Sequence, residues 1–104
     1  MDEYIMITTT FDSKEEANKV SDILLEKRLV SCCQFINISS KYHWKGKIEE
    51  AEEILLQMKS KKTLYKEIED EILKIHSYET PQIVAYDIVE GSKKYLNWIE
   101  EETI

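Results

Sequence analysis

Three patterns in this chain of 104 residues predict an α+β sandwich with the ferredoxin-like β-α-β-β-α-β order. Residues 4–10 are rich in β-branched side chains, which indicates a first strand. Residues 30–40 indicate a second strand that runs into a hairpin, and a near-continuous apolar run follows Pro81. Two stretches with helical spacing separate these segments. No repeat or linker interrupts the order, so residues 1–104 are predicted to form one domain.

The first helix is predicted from Ser13 to about Arg28. Ser13 and Glu16 match a capping box, in which the Ser13 side chain caps the helix and the Glu16 side chain reaches back to the Ser13 backbone. Apolar residues then follow on one helical face, at Ala17, Val20 and Leu24.

The hairpin around residues 42–47 is the most distinctive local feature. Tyr42 and Trp44 lie two residues apart, so they share one face of an extended chain. Gly46 can adopt the positive φ that a tight hairpin turn requires. Because a two-stranded hairpin alone is marginally stable, the two aromatic side chains are expected to cover either the chain's own core or a neighbouring subunit.

The segment after the hairpin is ambiguous. Residues 49–59 have high helix propensity, and propensity alone predicts a helix. The turn at Gly46, however, needs a partner strand. Four apolar residues of the segment also share one strand face, namely Ile48, Ile54, Leu56 and Met58.

The C-terminal part of the chain adds a helix, a strand and a short helix. Helical spacing of apolar residues predicts the second helix from about Thr63 to His76. Residues 83–89 form a near-continuous apolar run, which is typical of a strand in the interior of a sheet. Gly91 and Ser92 then cap a last helix that carries Tyr95, Trp98 and Ile99.

Composition excludes several classes of function. Asp and Glu number 21 against 14 Lys and Arg, and a net charge of −7 argues against sequence-independent nucleic-acid binding. No apolar run approaches the roughly 20 residues that cross a membrane, and the acidic start is unlike a signal peptide. A cytoplasmic protein is therefore expected. Cys32 and Cys33 are adjacent, so they are expected to stay reduced and to face opposite sides of a strand.

Two enzyme or binding classes that share this fold lack their signatures here. An acylphosphatase-like enzyme needs an arginine in a phosphate-binding loop, and the one arginine of the sequence, Arg28, ends the first helix instead. An RNA-binding module needs paired aromatic residues in a Lys/Arg-Gly-Phe-like strand, which is absent. No catalytic residues are predicted, and the chain is not expected to be an enzyme.

A series of motifs along nearly the whole chain resembles the CutA divalent-cation tolerance family. The most specific block is Ser-x-Tyr-x-Trp-x-Gly-x-Ile-Glu, which occupies residues 40–49. The other matching pieces are Thr8-Thr9, Leu29-Val30-Ser31-Cys32, Glu53, Lys59, His76-Ser77-Tyr78-Glu79-Thr80-Pro81 and Tyr95-Leu96-Asn97-Trp98-Ile99. Ser77 differs from the proline that is usual in the family.

The resemblance implies a homotrimer of ferredoxin-like protomers with long hairpin strands that extend into neighbouring subunits. It therefore assigns Lys47–Met58 to a strand, against the helix propensity of that segment. The implied function is a cytosolic trimer associated with tolerance of divalent metal ions, copper in particular, with weak cation binding. The alternative is a PII-like trimeric regulatory or interaction protein that binds a small anionic ligand in the clefts between subunits, an analogy at the level of the fold. A small-molecule or protein partner of unknown identity is also expected.

The expected metal ligands are His76, Glu79 and Cys32, since imidazole, carboxylate and thiolate bind copper or zinc. Copper-binding relatives use a cysteine at the end of strand one and paired histidines. This chain has Thr8 and Ile75 at those positions, so weak binding of copper or another divalent cation is expected and no tightly held cofactor. The alternative role for His76 is a cationic ring at a helix C-terminus, which the helix dipole favours.

A second set of residues is expected to line a ligand cleft or a subunit interface. It comprises Tyr42, Trp44, Glu53, Lys59, Tyr78, Tyr95 and Trp98. Lys59 is either an ordinary edge lysine or an anchor for a phosphate or carboxylate group in an intersubunit cleft with Tyr42 and Glu53. Tyr95 and Trp98 lie three apart on a helix, so plain packing is their alternative role.

Overall fold

The computed structural model of the chain describes residues 3–104. It confirms the α+β ferredoxin-like order, with an additional C-terminal helix. The elements are β1 (Tyr4–Phe11), α1 (Lys14–Glu26), β2 (Cys32–Trp44), β3 (Lys47–Lys61), a 3₁₀ turn (Lys62–Leu64), α2 (Tyr65–Ile75), β4 (Ile83–Asp87) and α3 (Lys93–Glu102). Within these residues, no helix has the length and apolar character needed to cross a membrane.

The four strands form one antiparallel sheet in the order β2-β3-β1-β4. β1 pairs with β3 from Tyr4 opposite Lys61 to Phe11 opposite Ile54. β2 pairs with β3 much further, as far as Trp44 opposite Lys47. Residues 38–53 therefore project beyond β1 as a two-stranded ribbon of about 20 Å, given a rise of about 3.3 Å per residue. This ribbon accounts for the elongated shape of the protomer, 44 Å in its longest dimension.

β3 is a strand of 15 residues despite its helix propensity. Leu56 and Met58 are fully buried on the face that meets the two helices, and β1 and β2 pair with this part of β3 on either side. A helix here would bury a different set of side chains and would leave both neighbouring strands without a partner. Tertiary pairing thus overrides local propensity, and the strand implied by the family resemblance is confirmed.

The hydrophobic core lies between the sheet and one layer formed by α1 and α2. Ile5, Ile7 and Phe11 of β1 contribute to it, together with apolar residues of both helices. α3 packs on the opposite face of the sheet, because its Glu100 accepts a hydrogen bond from Tyr4 and forms an ion pair with Lys61. The sheet is thus covered on one face by two helices and on the other by α3 at one end.

The predicted capping box of α1 is half correct. The Ser13 hydroxyl accepts a hydrogen bond from the backbone N–H of Glu16 at 3.2 Å, as expected. The Glu16 side chain does not reach back to Ser13. Its Oε2 accepts from the backbone N–H and the hydroxyl of Ser77, at 3.2 and 3.1 Å, so Glu16 joins α1 to the loop after α2.

The prediction that residues 83–89 form an interior strand is wrong for the protomer. β4 ends at Asp87, pairs with β1 on one side and lies at the edge of the described sheet. Tyr86 is 52 % exposed and Val89, beyond the strand, is 86 % exposed. The apolar run predicted cover on both faces, and a single protomer does not supply it.

The backbone conformation of the hairpin turn at the tip of the ribbon can be tested by mutation. Lys45 and Gly46 both have positive φ, 49° and 80°, the pattern of a type I′ turn. A Cβ on Gly46 would meet no atom within 4 Å, so Gly46→Ala should cost only backbone strain. We expect it to lower the free energy of unfolding by about 1–2 kcal/mol in a denaturant titration.

The matched control is Lys45→Asn, because asparagine tolerates positive φ better than lysine does. That variant should be at least as stable as the parent chain. A Gly46→Ala protein as stable as the parent would show that the turn does not have this conformation.

Candidate functional site

An open concave feature of the protomer lies beside the projecting ribbon. It is an open cavity of about 820 Å³ between the ribbon and the loop of residues 76–82 that joins α2 to β4. We call it the hairpin cleft. Its walls include Asp12, Tyr42, Trp44, Glu53, Tyr78 and Glu79. Four of the expected cleft residues, Tyr42, Trp44, Glu53 and Tyr78, therefore do lie around one cavity.

The hairpin cleft is strongly acidic. Five carboxylate side chains line it, those of Asp12, Glu49, Glu50, Glu53 and Glu79, and Lys41 is the one basic lining residue among those described. Lys41 lies 3.8 Å from a Glu50 carboxylate oxygen. The cleft therefore attracts cations and repels anions.

Glu53 and Tyr78 form the inner wall of the cleft. Glu53 is 8 % exposed, and its Oε2 accepts a hydrogen bond from the Tyr78 hydroxyl at 2.8 Å. Burial raises the pKa of Tyr78, and the Glu53 carboxylate raises it further. Tyr78 therefore remains protonated at neutral pH, and it donates to a carboxylate that lies just beyond the end of β1.

His76 closes α2 immediately below this wall. Its Nε2 donates to the carbonyl oxygen of Thr10 at 2.8 Å, and its Nδ1 accepts from the backbone N–H of Tyr78 at 3.2 Å. The ring stacks on Phe11 with centroids 4.4 Å apart, and the side chain is 1 % exposed. A ring that donates through one nitrogen and accepts through the other is neutral.

The electrostatics of His76 agree with this tautomer. Burial lowers its pKa below the ordinary value, against the smaller opposing effects of the Thr10 carbonyl and of nearby carboxylates. The cationic ring that the helix dipole would favour is therefore not what the structure contains. Desolvation is the largest influence on the pKa of His76 at this helix end.

The sequence and the fold agree with one family of known proteins. Residues 5–102 match the family of the CutA1 divalent ion tolerance protein. This chain belongs to the CutA family. The divalent-cation tolerance protein CutA of Archaeoglobus fulgidus is 41 % identical over 101 residues, which cover 97 % of each chain.

Solved CutA structures superpose on the protomer closely. CutA1 of Ehrlichia chaffeensis covers the whole chain with a TM-score of 0.93 at 30 % identity, over 98 % of its own length. The Archaeoglobus fulgidus protein, called a periplasmic divalent cation tolerance protein, covers 95 % of this chain and 97 % of its own at TM-score 0.93 and 39 % identity.

The three residues expected to bind metal in this CutA-family protein are not brought together in the protomer. Both nitrogens of His76 are engaged within the fold. Glu79 is exposed and lies 3.9 Å from the ammonium group of Lys45. Cys32 is near α3, with its sulfur 3.7 Å from the Tyr95 hydroxyl. Across residues 3–104, no three His, Cys, Asp or Glu side chains are placed to hold a metal ion together.

The remaining expected cleft residues lie in a separate group at the other end of the sheet. Lys59 is opposite Cys32 in the β2–β3 pairing, and its ammonium group donates to the Gln34 side chain at 2.7 Å. Tyr95 and Trp98 of α3 stack with centroids 5.6 Å apart. Lys59 is six residues from Glu53 along β3, about 20 Å, so within one protomer it does not join the hairpin cleft.

The placement of the two cysteines on β2 agrees with the sequence prediction. Both are free thiols, and adjacent positions on β2 place them on opposite faces of the sheet. Cys33 lies opposite the buried Met58 and packs against the core. Burial raises the pKa of the Cys33 thiol to about 12, so this thiol is not reactive at neutral pH.

Sequence reasoning missed the residues that hold the loop under the cleft. Thr10 holds His76 through its backbone carbonyl, and a pattern of side chains in the sequence cannot predict such a contact. Glu16 was assigned to a helix cap, and its true partner, Ser77, lies 61 positions further along the chain. The serine at position 77, where the family usually has proline, could have indicated these hydrogen bonds. Proline has neither the N–H nor the hydroxyl that Ser77 donates.

Proposed function

We propose that this CutA-family protein works as a cytoplasmic homotrimer in the tolerance of divalent metal ions, copper in particular. The observation that carries the proposal is the acidic hairpin cleft on a protomer that is similar to proteins named divalent-cation tolerance protein CutA. Two free cysteines suit a reducing compartment. No role as a catalyst is proposed.

The homotrimer is supported by surfaces that one protomer leaves without cover. β2 and β4 are the two edges of the described sheet, and exposed edges of such length invite pairing with another chain. Large apolar side chains are exposed near both edges: Ile36, Tyr42, Ile48, Val84, Tyr86 and Val89. Further copies of the same chain would cover the ribbon, which alone is marginally stable.

The cleft supports weak cation binding rather than a tight site. Carboxylate oxygens bind divalent cations, and for a given set of donors copper binds most tightly among the first-row metals. A tight site needs three or four converging donors. The exposed rim offers Glu49, Glu50 and Glu79, without three donors converging in the protomer. We propose that these rim carboxylates, rather than the engaged His76, make the cation contacts. Cys32 takes no part, because it lies beside α3.

The alternative of a PII-like trimer with an anionic ligand has less support. The excess of carboxylates in the hairpin cleft would repel an anion. Within one protomer, Lys59, the expected anchor for such a ligand, lies outside the hairpin cleft, and it already donates to Gln34. The charge of the cleft thus favours the cation over the anion.

Assembly can be tested by light scattering at micromolar concentration. The expected mass is three times the protomer mass of 12.3 kDa. Trp44→Ala should weaken the trimer, because truncating an aromatic side chain that is buried on assembly costs about 3–5 kcal/mol. The matched control is His43→Ala, which alters the opposite face of the same strand. A monomer mass for the parent chain would contradict the proposal.

Metal binding can be tested by calorimetric copper titration at physiological ionic strength. We expect a dissociation constant weaker than about 1 µM. Glu79→Gln should weaken binding further, whereas His76→Gln, with its fold verified by circular dichroism, should leave it unchanged. Submicromolar binding that His76→Gln abolishes would show that the imidazole opens to the metal after all.

A further inference from the structure

The loop of residues 76–82 is fastened at its first residue by a side chain that can take up a proton. His76 holds the end of β1 through Nε2 and the backbone of Tyr78 through Nδ1, at 2.8 and 3.2 Å. Its ring lies between Phe11, at 4.4 Å, and the ring of Tyr78, at 4.8 Å between centroids. One imidazole therefore fixes both the start of the loop and the position of Tyr78.

A second proton on this ring is incompatible with one of its bonds. Protonated Nδ1 becomes a donor, and it would then face the N–H of Tyr78, which is also a donor. Another acceptor is close, because Oε2 of Glu16 lies 3.9 Å from Nδ1. That same oxygen already accepts from the N–H and the hydroxyl of Ser77. A small rotation of the ring would exchange Tyr78 for Glu16.

Tyr78 carries this exchange into the hairpin cleft. Its hydroxyl donates to Glu53 at 2.8 Å, and both residues line the cleft. We propose that His76 is a proton-operated latch: neutral His76 holds Tyr78 against Glu53 and shapes the cleft wall, and protonated His76 turns to Glu16 and releases Tyr78. The latch acts on the cleft of the proposed function, but it operates whether or not that cleft binds a cation.

The charged groups around His76 set the direction of the response. Glu16 faces it from α1, Asp12 from the turn before α1 and Glu53 from β3, while Tyr78 belongs to its own loop. Desolvation by burial dominates, so the pKa of His76 is lowered from 6.5 although the three carboxylates raise it. The latch is therefore closed at neutral pH and opens in acidic solution.

The same shift fixes the effect on stability. The unfolded chain takes up a proton on this histidine at higher pH than the folded chain does. The contribution of the closed latch is fully present above the ordinary pKa of about 6.5. It is lost as the pH falls through the lower pKa of the folded protein.

The chain offers a reporter for the latch. Its two tryptophans are Trp44, which lines the cleft, and Trp98 on α3. Trp98→Phe leaves Trp44 as the sole tryptophan. In this background, Trp44 fluorescence and the ¹⁵N signals of the His76 imidazole are followed from about pH 8 to about pH 4.5, across the histidine range. Both should change with one common midpoint below about 6.5.

Matched variants separate the latch from a general effect of acid. His76→Gln cannot be protonated, so the Trp44 change should disappear. His43→Gln, on the exposed hairpin, should keep it. Tyr78→Phe retains the backbone bond to Nδ1 but lacks the hydroxyl, so His76 should still titrate without a response at Trp44. Titration of His76 in the parent without a change at Trp44, or a Trp44 change that persists in His76→Gln, would overturn the proposal.

A further variant tests the second acceptor and does not remove the histidine. Glu16→Gln takes away the carboxylate nearest Nδ1 and keeps an oxygen for Ser77. Since a nearby negative charge raises the pKa of a histidine, the common midpoint should move to lower pH. An unchanged midpoint would show that Glu16 does not receive the protonated ring.

Discussion

The pairing of β3 with two neighbours of unequal length controls the shape of this protein. β2 follows β3 to the hairpin turn, whereas β1 stops at Phe11, opposite Ile54. Beyond that point, β2 and β3 pair only with each other among the described residues. The loop after α2 lies beside the position that a longer β1 would occupy. The hairpin cleft is the space that this mismatch in length creates.

The residues near the end of β1 determine the chemical character of the hairpin cleft. Glu53 is the first β3 residue beyond the end of β1, and its carboxylate would lack a partner if Tyr78 did not donate to it. His76 positions Tyr78 and is itself held by its hydrogen bond to the carbonyl oxygen of Thr10, near the end of β1. The acidic rim lies further out, where water screens it. The buried, hydrogen-bonded inner wall and the solvated acidic rim are thus two separate chemical environments. The expected metal site combined His76 from the first with Glu79 from the second.

The sequence predicted the fold well where patterns are local. Strand β1, the Ser13 cap and the Gly46 turn all follow from short-range rules, and the structure contains each of them. Propensity alone failed for residues 47–58, because pairing with β2 along the whole segment, and with β1 from Ile54 onward, stabilises a strand in a way that no local window contains. The family resemblance supplied that information.

The candidate site was only half predictable, for a similar reason. Tyr42, Trp44, Glu53 and Tyr78 carried motif signals and do lie around the cleft. The contact of His76 with Thr10 depends on a backbone carbonyl 66 positions away, and the neutral state of the ring depends on burial. Neither is visible in the sequence. β4 shows the reverse case, since its apolar pattern predicts cover on both faces that one protomer lacks.

We propose that other copies of the chain cover the ribbon. Amide hydrogen exchange of residues 38–44 in the native protein tests it most directly, because these residues form an edge of the described sheet. We expect exchange about as slow as in the buried strand β1, since pairing and burial between subunits protect edge amides. Fast exchange of these amides, at the rate of an exposed hairpin and independent of protein concentration, would contradict it.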